Sequence, residues 1–178
     1  MTNRYPGTTR PLSTIEIIPE VTGIVIGVSG KAGRAVKKGD VLYTLDPEPF
    51  EAEVQRAESA LQQSESALTL ANVEYKMSRS LAEKQVISQL DAQRKESDRE
   101  MAEAAMATAK ADLLKARLQL EKTKIVAPMD GETGITNVKV GSLVNAGKDV
   151  MLKLTANQTI EVFTQVNERE HFRYVRSL

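Results

Sequence analysis

Apolar residues follow two different rhythms along this chain. Between residues 12 and 46, Ile15 and Ile17, then Ile24, Ile26 and Val28, nearly alternate with polar or small residues. Gly23, Gly27, Gly30, Gly33 and Gly39 break that run into short strands and tight turns. At Asp46-Pro47-Glu48 the rhythm changes. An acceptor side chain precedes a proline suited to the first helical position and an acid favoured by the helix dipole, which together predict a helix start.

From there Phe50, Val54, Ala57, Leu61, Ser64, Leu68, Ala71 and Tyr75 recur at alternating spacings of four and three, with no Gly or Pro interrupting them. That is the seam of a coiled coil. A second helix is predicted to open at Ser88, with Asp91 three residues on as its capping partner. Its expected seam runs through Met101, Ala104, Thr108, Ala111 and Leu118. The helices are placed at about 47–82 and 88–122, and the few residues between them leave only an antiparallel return. Arms of this size make a hairpin about 50 Å long at 1.5 Å rise per residue. The seam expected to hold it together is Val54, Leu61, Leu68 and Tyr75 against Met101, Ala104, Ala111 and Leu118.

Pro128 ends the helical text, and Gly131, Gly134, Gly141 and Gly147 restore the strand-and-turn pattern. Sliding the chain by 108 residues lays Gly23 on Gly131, Lys31 on Lys139, Gly33 on Gly141, Val36 on Val144 and Gly39 on Gly147. Two halves of one repeat, each too small to bury an apolar face alone, are expected to close as one β domain with the hairpin as an insertion. The expected boundaries are 8–46 for the first half, 47–123 for the hairpin and 124–156 for the second half. Residues 157–178 begin a further domain, with a strand from Ile160 to Val166 and then a short helix.

Composition narrows the chemistry. Aromatic residues are 4% of the 178 and Trp is absent, which suits long helices better than a large core. Lys plus Arg balances Asp plus Glu at 24 each, with no long block of either sign, so no nucleic-acid partner is expected. There is no cysteine, and hence no disulfide, thiolate site or cysteine nucleophile. No apolar run reaches the length of a membrane span, and residues 1–10 lack the basic-then-apolar order of a signal peptide. Any export signal or anchor is expected to lie outside this stretch.

Candidate catalytic groups fail one by one. His171 is the single histidine and has no spaced ligands or triad partners. The glycines at 27, 30 and 33 lack a P-loop ending and open no helix. Glu48, Glu51 and Glu53 suit the first turns of a helix through its dipole. No catalytic residue, cofactor or metal is therefore expected. A biotinyl or lipoyl carrier would need an exposed Lys in the turn between the half-motifs, which the hairpin replaces. Lys31, Lys37, Lys38 and Lys139 read as turn charges that protect strand edges.

The segments Val36-Lys37-Lys38-Gly39-Asp40-Val41-Leu42 and Val138-Lys139-Val140-Gly141-Ser142-Leu143-Val144-Asn145-Ala146-Gly147 resemble the halves of a biotinyl/lipoyl-type sandwich. With Leu45-Asp46-Pro47 before the hairpin and Ile125-Val126-Ala127-Pro128-Met129-Asp130-Gly131 after it, the motif order over about residues 8–175 resembles the periplasmic adaptor, or membrane fusion, family of tripartite efflux pumps. The resistance-nodulation-division (RND) branch is the most similar. The resemblance implies a mixed α and β fold: a lipoyl-like β-sandwich (barrel-sandwich hybrid) interrupted by a coiled-coil hairpin, followed by the start of a β-barrel. It further implies a non-enzymatic adaptor in the periplasm of a Gram-negative bacterium, associated with the inner membrane. Its implied partners are an inner-membrane transporter of RND type, a TolC-type outer-membrane channel, and copies of itself in a ring of six. An adaptor of an ATP-driven exporter and a biotinyl or lipoyl carrier are the alternatives.

In the family the hairpin tip meets the channel through an Arg, a Leu four residues later and a Ser seven after that. Leu81 and Ser88 match, while Met77 stands at the Arg position, with Lys76 and Arg79 the nearest cations. The implied tip surface is Met77, Arg79, Leu81, Lys84, Gln85 and Ser88.

Overall fold

A computed structural model of the chain describes residues 7–11, 14–156 and 160–164. The chain divides into two units, Asp46–Thr123 and the segments that flank it.

In the flanking unit the first half supplies β2 (Thr14–Ile17), β3 (Gly23–Val28), β4 (Ala35–Val36) and β5 (Val41–Leu45), after β1 (Gly7–Pro11). The second half supplies β6 (Lys124–Val126), β7 (Gly131–Thr133), β8 (Leu143–Val144) and β9 (Leu152–Thr155), before β10 (Ile160–Thr164). Two four-stranded sheets form, in the orders β2-β9-β7-β4 and β6-β5-β3-β8. Each sheet takes two strands from each half, so neither half can close alone.

The internal repeat is visible in the register. Gly23 pairs with Val144, and 108 residues away the same two repeat positions pair as Gly131 with Val36. Val25 with Leu45 answers Thr133 with Leu154, and Tyr43 with Ile125 answers Leu152 with Ile17. From β5 onward the offset becomes 109, because the 145–149 turn has one residue more than the 37–40 turn.

Both turns use the same chemistry. Gly39 and Gly147 take φ of 93° and 68°, a left-handed conformation that an L side chain resists. An aspartate closes each turn: Lys37 N donates to Asp40 Oδ2 at 2.9 Å and Asn145 N to Asp149 Oδ2 at 2.7 Å. Lys38 N and Ala146 N then donate across to Asp130 and Thr22, again 108 residues apart. Between the sheets lie Val25, Leu42, Tyr43, Leu45, Val144, Met151, Leu152 and Leu154, all buried. Burial pushes the Tyr43 hydroxyl's pKa up, while its bond to Thr136 Oγ1 opposes that shift.

β1 and β10 form a separate antiparallel ladder, from Gly7 opposite Thr164 to Pro11 opposite Ile160. Residues 8–11, which open the expected first half, thus pair with the last strand. The expected helix after that strand, and His171, lie outside the described residues.

The hairpin consists of α1 (Glu48–Glu83) and α2 (Gln89–Glu121). Glu48 N donates to Asp46 Oδ1 at 3.1 Å, so the acceptor before Pro47 does cap the entry. Along α1 a heptad stripe of shielded positions runs through 54, 57, 61, 64, 68, 71, 75, 78 and 82, and it contains the expected Val54, Leu61, Leu68 and Tyr75. Near the base Val54 and Leu61 pack on a cluster of Ala57, Leu113 and Ala116.

The expected seam of α2 is corrected by the structure. Met101, Ala104, Thr108, Ala111 and Leu118 are all exposed, Met101 by 64% and Leu118 by 47%. The residues facing α1 are Ala92, Lys95, Arg99, Ala102, Met106, Ala109, Leu113, Ala116 and Leu120. Each expected position is two residues past a true one, about 200° around the helix. Two charges hid the inner stripe. Lys95 Nζ reaches Glu74 Oε2 at 2.8 Å, and the Arg99 guanidinium stacks over the Tyr75 ring, 5.4 Å from its centroid. Both side chains lay their aliphatic stems along the seam; Lys95 finds its partner across it, whereas Arg99 pairs with Glu103 of its own helix at 3.3 Å and keeps a buried Nε with no hydrogen-bond partner.

Candidate hairpin-tip docking surface

Two opposed caps build the tip. α1 ends on a Schellman motif: Gln85 N donates to Ala82 O and Val86 N to Leu81 O, both at 2.9 Å. The motif needs a left-handed residue, and Gln85 supplies it at φ 59° without being glycine. Three residues later Ser88 caps α2. Its Oγ accepts from Asp91 N at 3.1 Å and donates to Asp91 Oδ2 at 2.7 Å. Hydrogen-bonded caps therefore flank the five-residue turn on both sides.

The helix period sorts the implied tip residues. Met77, Leu81 and Lys84 fall on one face of α1, within about 60° of each other. Arg79 lies about 200° from Met77, where its Nη1 donates to the Tyr75 hydroxyl and its Nε pairs with Glu83, each at 3.4 Å. The structure thus groups Met77, Leu81 and Lys84 but leaves Arg79 on the opposite flank. There Tyr75, Arg79, Gln89, Ala92, Gln93 and Glu96 line a shallow groove of about 420 Å³.

Two tip residues escape the sequence reading, Val86 and Leu90. Val86 is 67% exposed and donates its N–H to Leu81 O, and Leu90 is also exposed. The signal was present: a Val inside a five-residue turn and a Leu in the first turn of a helix are out of place unless something covers them. The exposed apolar surface toward the end of this charged rod thus comprises Met77, Leu81, Val86 and Leu90, with Lys84 and the Ser88 cap close to them in the chain. It can desolvate against an apolar groove and accept a hydrogen bond on the remaining lone pair of Ser88 Oγ.

Among the described residues no group of three or more His, Cys, Asp or Glu could hold a metal ion, and no helix is long and apolar enough to cross a membrane.

Known proteins share this architecture. The family model described as "RND MFP, barrel-sandwich hybrid domain" matches residues 13–156. The multidrug export protein AcrE of Escherichia coli K12 is 32% identical over 163 residues, covering 92% of this chain and 42% of that protein. The multidrug resistance protein MdtE of the same strain is 33% identical over 146 residues, covering 82% of this chain and 38% of MdtE. The chain spans about two fifths of the length of these curated relatives. Among solved structures, a MacA-MexA chimeric protein containing the Pseudomonas aeruginosa MexA α-hairpin domain superposes with a TM-score of 0.65 at 26% identity. That superposition covers 93% of this chain and 54% of the chimera.

Proposed function

Because the chain belongs to the membrane fusion protein family of RND efflux systems, we propose that it is the periplasmic adaptor segment of a multidrug efflux pump. Its partners are an inner-membrane transporter of RND type and a TolC-type outer-membrane channel, and the hairpin tip docks on the channel. Copies of the chain stand beside one another in a ring of six around the pump axis. The protein works in the periplasm, held to the inner membrane, and has no catalytic step of its own.

The observation that carries this reading is the apolar tip. Hydrogen-bonded caps flank the turn on both sides, and four apolar side chains stay exposed toward the far end of a polar rod. Burying such side chains returns roughly 25 cal/mol per Å² of apolar surface covered, which favours docking of the end of the rod against an apolar groove. The names of AcrE and MdtE, with multidrug export and resistance in them, support the efflux setting.

Leu81→Cys or Ser88→Cys, each the only cysteine present, should crosslink to the outer-membrane channel in cells, and Leu118→Cys near the hairpin base should not. Equal channel adducts from tip and base would overturn tip docking.

A further inference from the structure

The inner seam of the hairpin changes character along its length. Toward the base it is built from Val54, Leu61, Leu68, Met106, Leu113 and Leu120, interleaved with alanines and Ser64. Beyond Tyr75 and Arg99, toward the turn, its shielded positions are Ser78, Ala82, Ala92 and Lys95, with Ile87 half-buried in the turn itself. A buried methyl or hydroxymethyl returns only a fraction of what a buried leucine returns, so the distal seam is less cohesive than the basal one. The Ser78 hydroxyl adds nothing across it, because it donates to Tyr75 O of its own helix.

Polar contacts divide in the same way. Arg117 reaches across to Glu58 near the base, and Lys95 to Glu74 farther out, each at 2.8 Å. Tipward of Lys95, among the described residues, no side-chain hydrogen bond or ion pair joins the two helices. Arg79 pairs with Glu83 and Arg94 with Asp91, each along its own helix.

The boundary itself is imperfect. Arg99 lies over the Tyr75 ring, but its Nε is buried with no hydrogen-bond partner, and a buried donor left unpaired is destabilising. Lys95 and Glu74 are both well exposed, at 42% and 43%, so their pair offsets little of that cost.

A coiled coil with a cohesive base, a flawed polar layer and a thin distal seam has a place to part. We propose that residues 76–98 open and close as a unit of their own, hinged at the layer of Tyr75 and Arg99, while the base stays zipped. Little apolar burial opposes the opening. Once apart, the short helical ends are marginal in water and lose their backbone hydrogen bonds. Met77, Leu81, Val86, Ser88 and Leu90 all belong to this unit. A partner that grips these side chains in their closed arrangement holds the tip closed, a consequence that rests on the docking reading, whereas the opening itself does not.

Amide hydrogen exchange of the whole chain, read by mass spectrometry at low micromolar concentration, tests the division. Helical amides between 76 and 98 should share one level of protection, at least about tenfold below that of 54–66 and 106–116. Mild urea should lower it, since opening of a whole unit exposes surface and end fraying does not. Leu113→Ala should reduce protection at the base and leave the tip unchanged. Arg99→Met, which removes the unpaired donor and keeps a long stem, should raise tip protection about tenfold and leave the base unchanged. A single protection level over both arms, a gradient from the turn that ignores urea, or a tip indifferent to Arg99→Met overturns the proposal. Channel crosslinking from Leu81→Cys in cells reports docking separately, so either reading can fail alone.

Discussion

Leu113 and Leu118 are both leucines of α2, five residues apart, and only the first belongs to the seam that holds the hairpin together. Leu113 is 7% exposed and packs with Ala57 and Ala116 under Val54 and Leu61. Leu118, nearly half exposed, faces away from α1. Truncating a buried leucine to alanine costs about 2 to 5 kcal/mol, and a thin two-helix cluster that can partly collapse belongs at the lower end, about 2 to 3 kcal/mol. Truncating Leu118 removes little buried area, and alanine's helix propensity offsets part of that loss, leaving about 0.5 kcal/mol or less. For a cooperative unit of this size 1 kcal/mol shifts the midpoint by about 4 to 8 °C, so Leu113→Ala should lower the helical melt by roughly 8 to 24 °C. Ellipticity at 222 nm reports the hairpin, since the other unit is made of strands. The measurement belongs at low micromolar concentration, with a monomer verified by sedimentation, because Leu118 is an exposed apolar residue through which copies could associate. Equal losses from the two variants would refute the placement of Leu113 inside the seam and Leu118 outside it.

Replacing Gln85 by Gly should stabilise the hairpin by about 0.5 to 1 kcal/mol, since the left-handed cap is strained for a side chain and free for glycine; a loss in urea unfolding would show that the turn does not need that conformation. In the second half of the β domain, two hydrogen bonds from Asn145, at 2.7 and 2.9 Å, hold the Asp149 carboxyl below its ordinary pKa of 3.8. A carboxyl lowered on folding adds stability that is complete above its unfolded pKa and disappears as pH falls through the lowered one. Melts of the Asp149→Asn variant should therefore depend less on pH below about 4 than those of the parent; identical acid profiles would remove this group from the acid response.

The repeat was legible because its signals are local. Gly33 and Gly141, or Gly39 and Gly147, occupy turns whose left-handed backbone demands glycine, and the same demand recurs wherever the unit is copied. The change of offset from 108 to 109 was not legible, since nothing in the text says which residue of the longer turn is the extra one. Nor was the pairing of β1 with β10, because alternation marks a strand without naming its partner. The seam of α1 is legible where its residues are apolar. That of α2 is not, because a heptad scan rewards apolar content, and the inner stripe spends two positions on Lys95 and Arg99 while the outer one carries Met101 and Leu118.

The same contrast explains how the two faces of α2 divide their work. A half-exposed ion pair contributes about 1 kcal/mol or less, so Lys95 against Glu74 and Arg99 over Tyr75 add little stability and serve the hairpin by favouring one register of its arms. The apolar cluster at Ala57, Leu113 and Ala116 supplies cohesion near the base, and the charged pairs supply register toward the tip. Register matters at the tip because both caps depend on it: Ser88 begins α2 at the height where Gln85 ends α1. With stability and alignment met on the inner face, the apolar residues on the outer face are not needed for the hairpin's own fold. Exposed methionine, leucine and valine at heptad spacing on a monomer invite association.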